Sequence, residues 1–187
     1  KGDVRAFNQL VIRYQNIAYN LAYRILGDED AASDATQDAF VSAFKAMPRF
    51  RGGSFKAWVL RIVTNACYDQ LRALRRRPTS SLDDMEVEAD HTPYLLDPSE
   101  QPDEAVVRRE LDKVIQAGIL TLPADQRSVL VLSDLQGMDY QEIAQVTGLA
   151  LGTVKSRLSR GRAKLRDYMM DHRELLPAQY RLRSDRS

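Results

Sequence analysis

The chain has 187 residues, 44% of them hydrophobic, and a formal net charge of +1. This length suits one domain or two small ones, and the apolar content is enough for a buried core. One cysteine and two histidines exclude a disulfide framework and a cysteine-rich zinc site, so we expect a reducing, cytoplasmic location and no bound metal. No apolar run reaches the ~18–20 residues of a membrane span, and no signal-peptide pattern opens the chain. The first residue is not methionine, so we expect a chain trimmed at its start.

The small net charge hides an uneven distribution. Residues 1–77 carry a charge of +6, residues 78–104 carry −9, and residues 105–187 carry +4. An acidic segment between two basic blocks favours a protein that binds nucleic acid. The acidic segment also holds four of the seven prolines and no lysine or arginine, which predicts an extended linker.

Two helices are predicted at the start of the chain. Apolar residues recur at three- and four-residue steps over residues 7–25, which predicts a first helix that ends near Gly27. Ser33 and Asp34 are candidate caps of a second helix, which Pro48 ends.

The predicted second helix has an acidic and polar exposed face. Such a face, with one exposed aliphatic side chain, suits contact with a protein better than contact with DNA. The exposed side is predicted to hold Asp34, Gln37, Asp38 and Val41. The buried side is predicted to hold Phe40, Phe44 and Met47.

A third helix is predicted over residues 55–77, and Pro78 stops it. The loop before it is basic, and Phe55 and Trp58 open the helix. Basic side chains interleaved with aromatic rings suit single-stranded nucleic acid, because exposed bases stack on rings and phosphates pair with cations. For Trp58 taken alone, burial in the core is an equally good interpretation. One helix face is predicted to hold Arg61, Asn65, Tyr68 and Arg72.

Helical periodicity resumes near Ala105. Gly118 and Pro123 interrupt it, and two further helices follow Gly137, divided at Gly148. We therefore predict an all-α chain of two small helical domains, residues 1–77 and 105–172, joined by the acidic linker 78–104 and followed by a polar tail 173–187.

The strongest motif spans residues 139–166, DYQEIAQVTGLALGTVKSRLSRGRAKLR, and is typical of a helix-turn-helix. Gly148 would supply the left-handed turn, while Val154 and Leu158 would seal the small core. The second helix carries six basic residues and no acidic one over residues 155–166. A charge run alone would favour a solvated surface helix, but the upstream spacing favours DNA binding. The face predicted to enter a major groove holds Ser156, Ser159 and Arg160, with Lys155 at its flank.

Two long stretches carry a resemblance to a known family. DATQDAFVSAFKAMPRFRGGSFKAWVLRIVTNACYDQLR, followed downstream by DYQEIAQVTG and GTVKSRLSRGRAKL, resembles the bacterial extracytoplasmic-function (ECF, group 4) sigma factors. The resemblance implies two helical domains, no enzymatic activity and no cofactor. It implies that the chain binds core RNA polymerase, recognises the −10 and −35 promoter elements and helps to open promoter DNA. The implied partners are the clamp region of the largest polymerase subunits, promoter DNA and an anti-sigma factor, with no insertion into a membrane.

The resemblance also implies three sets of site residues. The set implied for polymerase binding is Asp34, Gln37, Asp38, Phe40 and Val41. The set implied for the −10 strand is Arg51, Ser54, Phe55, Trp58, Arg61, Asn65, Tyr68 and Arg72. The set implied for the −35 duplex is Thr153, Lys155, Ser156, Arg157, Ser159, Arg160 and Arg162. The sequence departs from the family pattern in a −10 loop one residue shorter and at Ala150, which gives the recognition helix a weaker start.

Two other classes of protein remain as alternatives. A regulator of the response-regulator type shares the Thr-Val-Lys pattern of the recognition helix. It would have an α/β receiver domain upstream, but the pattern of residues 1–77 predicts helices and lacks such strands. An enzyme acting on nucleic acid could hold a metal at Asp34 and Asp38, which lie four residues apart. No phosphate-binding loop, serine–histidine–aspartate set or cysteine–histidine pair accompanies them, and we predict no catalytic residue.

Overall fold

The structure is a computed structural model that describes residues 4–76 and 102–177, and in the second range the side chains from residue 106 onward. These residues form α-helices without a strand, which confirms the predicted all-α fold. None of the described helices combines the length and apolar character needed to cross a bilayer. Residues 78–101 of the predicted linker lie outside the described residues, as does the predicted tail beyond residue 177. The helices are α1 (Val4–Leu26), α2 (Glu29–Ala46), α3 (Phe55–Arg76), α4 (Pro102–Leu120), α5 (Ala124–Leu130), α6 (Tyr140–Thr147) and α7 (Leu151–Asp171).

Helices α1, α2 and α3 pack as a bundle around small and branched side chains. The inner face of α2 is made of alanines spaced three or four residues apart, so the neighbouring helices approach it closely. Leu21 and Ile25 of α1 and Leu60 of α3 are fully buried, each contributing roughly 1.5–3 kcal/mol by leaving water. The buried alanines of α2 are Ala32, Ala35, Ala39 and Ala43.

The second helix begins one turn earlier than predicted. Asp28 is its N-cap, and the Asp28 carboxylate accepts a hydrogen bond of 2.7 Å from the backbone amide of Ala31. The proposed caps Ser33 and Asp34 were therefore wrong, because both lie inside the helix. Asp28, directly after Gly27, already accepts a hydrogen bond from a free amide of the first turn, so the helix can begin there rather than at a later cap.

In the C-terminal half, Gly118 does not interrupt a helix as predicted. It lies within α4, and a Cβ atom added there would be only 2.7 Å from the side chains of Leu165 and Tyr168 in α7. The missing side chain of Gly118 therefore lets α4 and α7 pack closely at this position. Pro123 does separate α4 from α5, as expected, and a π-helical turn over Val131–Leu135 extends α5.

The two halves of the chain pack against each other. Helix α3 contacts α6, and α1 contacts α4, α5 and the π-helical turn. The buried apolar residues form one continuous cluster that runs from Leu60 and Val63 in the N-terminal half to Ile119 and Leu132 in the C-terminal half. No local sequence pattern indicated this contact, because it joins residues far apart in the chain.

Candidate nucleic-acid interface

Helices α6 and α7 have the geometry of a helix-turn-helix. The Asp139 carboxylate accepts hydrogen bonds of 2.8 Å from the amides of Gln141 and Glu142, and the Glu142 side chain accepts one of 3.0 Å from the Asp139 amide. This reciprocal capping starts α6, and Gly148 ends it with a left-handed φ of +70°. Ala150 precedes α7 without a side-chain cap, which matches the weaker start expected from the sequence.

One side of α7 is buried against the rest of the domain, and the opposite side is open to solvent. Val154, Leu158 and Gly161 are buried, so the helix is fixed by its inner face. Among the predicted −35 residues, Lys155, Ser159, Arg160 and Arg162 are exposed, while Thr153, Ser156 and Arg157 are half-buried.

Two arginines of the predicted −35 set are engaged within the domain. Arg157 Nε lies 3.1 Å from Asp125 Oδ2 in α5. Arg162 makes a two-pronged ion pair with Asp134, at 3.0 Å from Nε to Oδ2 and 2.5 Å from Nη2 to Oδ1. The Arg162 guanidinium lowers the pKa of the Asp134 carboxyl, and that carboxylate raises the pKa of Arg162. Both cations are therefore already paired with carboxylates inside the domain.

Lys155 has a neighbour that sequence reasoning missed. Its Nζ lies 5.9 Å from the centroid of the Tyr140 ring, at the start of α6, in cation–π range. Tyr140 is 38% exposed, so the pair lies at the edge of the exposed α7 face. Spacing along α7 could not have found it, because the ring belongs to the preceding helix.

A cluster of aromatic rings supports the loop before α3. Trp58 lies 5.0 Å from Phe50 and 5.5 Å from Phe55, between ring centroids, and Phe55 lies 5.2 Å from Tyr14 of α1. Trp58 and Phe55 are half-buried, so each side chain combines contacts within the cluster with some exposed surface. The cluster borders a cavity of about 270 Å³ lined by Arg49, Phe50, Arg51, Gly52, Gly53, Ser54, Ala57, Trp58, Arg61, Gln145 and Val146.

Along α3, the predicted face is only partly open. Arg61, Asn65 and Arg72 are exposed, and Arg72 pairs with Asp69 one turn away. Tyr68 is half-buried, and its hydroxyl lies 2.5 Å from the hydroxyl of the fully buried Ser128 in α5. Burial raises the pKa of the Tyr68 phenol. Tyr68 thus faces the other half of the chain rather than solvent alone.

The predicted polymerase-binding residues of α2 lie on two sides of the helix. Asp34, Gln37, Asp38 and Val41 are exposed, as the helix pattern predicted, and Phe40 is 8% exposed and belongs to the core, as predicted for the buried side. In the described ranges, no three histidine, cysteine or acidic residues are grouped as for a metal ion.

Phe44 was predicted to be buried, but it is 41% exposed. It packs edge-on against Phe7 of α1, with 5.1 Å between ring centroids. The Phe44 ring therefore packs against Phe7 at the edge of the bundle instead of being buried in the core.

Sequence reasoning also missed a buried polar group between the halves. Arg24 of α1 is 7% exposed, forms an ion pair with Asp112 and donates a hydrogen bond of 3.1 Å to Gln116 Oε1. Both partners are in α4, about 90 positions away along the chain. The only local signal was a charged residue within an apolar helical face.

Comparisons with known proteins follow the same division into halves. The Sigma-70 region 2 family matches residues 10–77, and the Sigma-70, region 4 family matches residues 112–165. The RNA polymerase sigma-H factor of Pseudomonas aeruginosa is 38% identical over 167 residues, which cover 87% of this chain and 85% of that protein. The ECF RNA polymerase sigma-E factor of Escherichia coli is 38% identical over 164 residues, with the same coverage. The ECF RNA polymerase sigma factor SigE of Mycolicibacterium smegmatis is 35% identical, and the match covers 89% of this chain but 63% of that longer protein.

Solved structures agree over both halves. The sigma factor RpoE of Bartonella quintana, solved with the anti-sigma factor NepR, superimposes with a TM-score of 0.68 at 26% identity, covering 89% of this chain and 98% of that one. CnrH, solved with the cytosolic domain of CnrY, superimposes with a TM-score of 0.63 at 29% identity, covering 91% of both chains.

Proposed function

The chain belongs to the ECF RNA polymerase sigma factors, the transcription initiation factors that recognise promoters, and from this we propose a division of labour between its two halves. The C-terminal half reads the −35 duplex, and the N-terminal half holds the separated −10 strand and the polymerase. The proposal depends on two features found in the same chain. One is a helix-turn-helix whose second helix buries its apolar face and exposes basic residues, and the other is a basic loop bordered by aromatic rings.

For the −35 element, the proposed reader is the exposed side of α7. Ser159 and Arg160 project from this side, where an arginine can donate two hydrogen bonds to guanine. Lys155 lies at the flank and reaches a phosphate. Arg157 and Arg162 would orient α7 rather than read bases, because their ion pairs with Asp125 and Asp134 join α7 to the preceding elements of the domain.

For the −10 element, the proposed binding surface begins at the loop before α3. A base unstacked from the duplex would stack against the exposed surface of Trp58, and Arg51 and Arg61 would neutralise neighbouring phosphates. Flipping a base costs a few kcal/mol, which stacking and phosphate contacts offset. Asn65 extends the surface along α3 with a group that can donate and accept hydrogen bonds.

The exposed side of α2 is the proposed docking face for the polymerase clamp. Asp34 and Asp38 present carboxylates, and Val41 and Phe44 add apolar area of the kind found at the centre of protein interfaces. We further propose an anti-sigma factor as a regulatory partner, because the superimposed RpoE was solved with one. The site of action would be the cytoplasm, where the role is one of binding, without catalysis by this chain.

The test is run-off transcription with core polymerase from the source organism. We expect transcripts that start at one position, that disappear when either promoter element is scrambled, and that require the chain. The chain alone should bind promoter DNA weakly and lose that binding as salt rises, since each basic surface is small. The absence of any promoter-specific transcript with the cognate core would overturn the proposal.

A further inference from the structure

A second cavity lies where the C-terminal turns of α3 meet the start of α5. Its volume is about 340 Å³, within the range of cavities that hold small molecules. Four of its lining residues belong to α3, and three belong to the segment that begins at Pro123. It is distinct from the cavity beside Trp58, because the two share no lining residue.

One part of the lining is apolar. Leu71, Pro123 and Ala124 contribute aliphatic surface, and Tyr68 contributes an aromatic ring. The Tyr68 hydroxyl lies 2.5 Å from the hydroxyl of the buried Ser128, so the ring cannot turn away without losing this hydrogen bond. A flat aromatic group of a ligand suits such a surface, because it buries apolar area and can stack on the ring.

The other part of the lining is charged, and one of its cations has no carboxylate partner. Arg72 pairs with Asp69 on the same helix, and Asp125 pairs with Arg157 of α7. Arg75 is exposed and lines the cavity, and in the part of the chain that the structure describes no carboxylate pairs with it. The Arg75 guanidinium is therefore available to an anionic group in the cavity.

A second cation near the cavity adds to this excess of positive charge. Arg127 of α5 donates hydrogen bonds of 2.7 and 3.0 Å to the carbonyls of Leu120 and Leu122, which are neutral acceptors. Burial lowers the pKa of Arg127, and the charge of Arg75 lowers it further. The two guanidiniums are therefore close enough to repel each other, and a negatively charged ligand would relieve that repulsion.

We propose that this cavity binds a free nucleoside polyphosphate, with the base against the apolar part of the lining and the phosphates at Arg75. Arginine suits this role because its planar guanidinium can donate two hydrogen bonds to one phosphate. The cavity has the size for one small molecule, so a free nucleotide fits it better than a continuous strand. Binding of this ligand goes beyond promoter recognition and does not depend on it.

Isothermal titration calorimetry of the full chain with ATP, in magnesium-free buffer of low ionic strength, tests the proposal. We expect one site with a dissociation constant below about 1 mM, and an affinity that falls as salt rises. Adenosine and inorganic triphosphate should each bind at least about tenfold more weakly, because the first lacks the anionic group and the second lacks the apolar contact. Absence of ATP binding at millimolar concentration would overturn the proposal.

A pair of arginine variants separates the cavity from general attraction to a basic surface. Arg75→Ala should weaken ATP binding by about tenfold or more, because a charge-assisted hydrogen bond to phosphate is lost. The matched control is Arg76→Ala, which removes the same charge at the next position of α3, where the side chain does not line the cavity. The control should stay within about twofold of the wild type, since exposed charges are screened. Equal losses for the two variants would contradict the proposal.

A filling variant tests the cavity without changing any charge. Ala124→Phe places a ring in the lining and should abolish ATP binding, while circular dichroism shows whether the helices are retained. If this variant loses its helices, Arg75→Ala decides the question, because Arg75 is exposed and its removal leaves the core intact. A folded Ala124→Phe variant that binds ATP as the wild type does would mean that the ligand lies elsewhere.

A single DNA strand is the alternative occupant, and the same variants distinguish it. Titration with an oligonucleotide that carries the −10 element should show binding that Ala124→Phe leaves within about twofold of the wild type. If the strand instead loses affinity in both Arg75→Ala and Ala124→Phe while ATP does not bind the wild type, the cavity belongs to DNA and the nucleotide proposal is wrong.

Discussion

Helices α3 and α7 are both long and basic, yet they present their charges differently. In α7, Arg157 and Arg162 are paired with carboxylates of preceding elements of the same domain, whereas Lys155, Arg160 and Lys164 are exposed. Arg166 is exposed too and pairs with the adjacent Asp167. In α3, the open features are a cluster of rings at the start of the helix and cations along it. A basic run therefore divides into cations that hold the fold and cations that can meet a nucleic acid, and the positions of the carboxylates decide which is which.

The largest effect is expected from breaking the inner face of α7. Leu158→Ala removes a buried side chain that is 2% exposed, and the resulting cavity should lower the free energy of unfolding by about 2–5 kcal/mol. Urea unfolding followed by circular dichroism measures the loss. Leu151→Ala is the matched control, because the same substitution at a residue 40% exposed should cost less than about 1 kcal/mol. Equal losses would mean that the two sides of α7 do not differ as described.

The second prediction tests the division of the α7 cations. Arg160→Ala should weaken binding of a −35 duplex by about 1–3 kcal/mol, and the loss should shrink when the contacted base pair is changed. Arg162→Ala should cost less in DNA binding, because its guanidinium is held by Asp134. Fluorescence anisotropy at several salt concentrations measures both variants. A larger loss for Arg162 than for Arg160 would contradict the assignment.

The third prediction concerns the rings of the N-terminal half. Trp58→Ala should weaken binding of a −10 single strand by about 1–3 kcal/mol, with little dependence on salt, because stacking is lost rather than a charge. Trp58→Phe keeps a ring against Phe50 and Phe55 and should retain most of the affinity. Titration with a labelled oligonucleotide compares the two. If both variants bind as the wild type does, Trp58 is a core residue only.

The smallest effect is a pH dependence of the C-terminal half. Arg162 holds the pKa of Asp134 below its ordinary value, so the ion pair contributes stability above that ordinary value and loses it as pH falls through the folded-state pKa. Both side chains are partly exposed, so the contribution should be below about 1 kcal/mol. Asp134→Asn should thus be slightly less stable than wild type at neutral pH, and the difference should shrink as pH falls below the ordinary aspartate range and through the lowered folded-state pKa. A difference that grows on acidification would contradict this sign.

Much of the fold followed from local patterns in the sequence. The spacing of apolar residues predicted the bundle helices, and Gly148 and Pro123 marked true ends because their backbone preferences act within a few residues. Local patterns failed where a distant residue decided the outcome. Gly118 looked like an interruption, but it is a contact point for α7. Phe44 looked buried, but Phe7 supports it at the surface.

The candidate site shows the same limit. Helical spacing placed Arg61, Asn65 and Arg160 on exposed faces, and the structure agrees. Spacing could not reveal that Arg162 is paired with a carboxylate 28 positions away, or that Tyr68 is hydrogen-bonded to Ser128, 60 positions away. A residue's neighbours across the fold determine whether its side chain is available, and those neighbours are set by packing between helices.

The single cysteine offers a way to time motions of the N-terminal half. Cys67 is fully buried in α3, and burial raises the pKa of its thiol to about 12. The reactive thiolate is therefore scarce while the bundle is intact, and an alkylating reagent must wait for the helices to part. The labelling rate of the native chain then counts opening events of the bundle without an introduced probe, and any cysteine engineered at the surface would be modified long before Cys67.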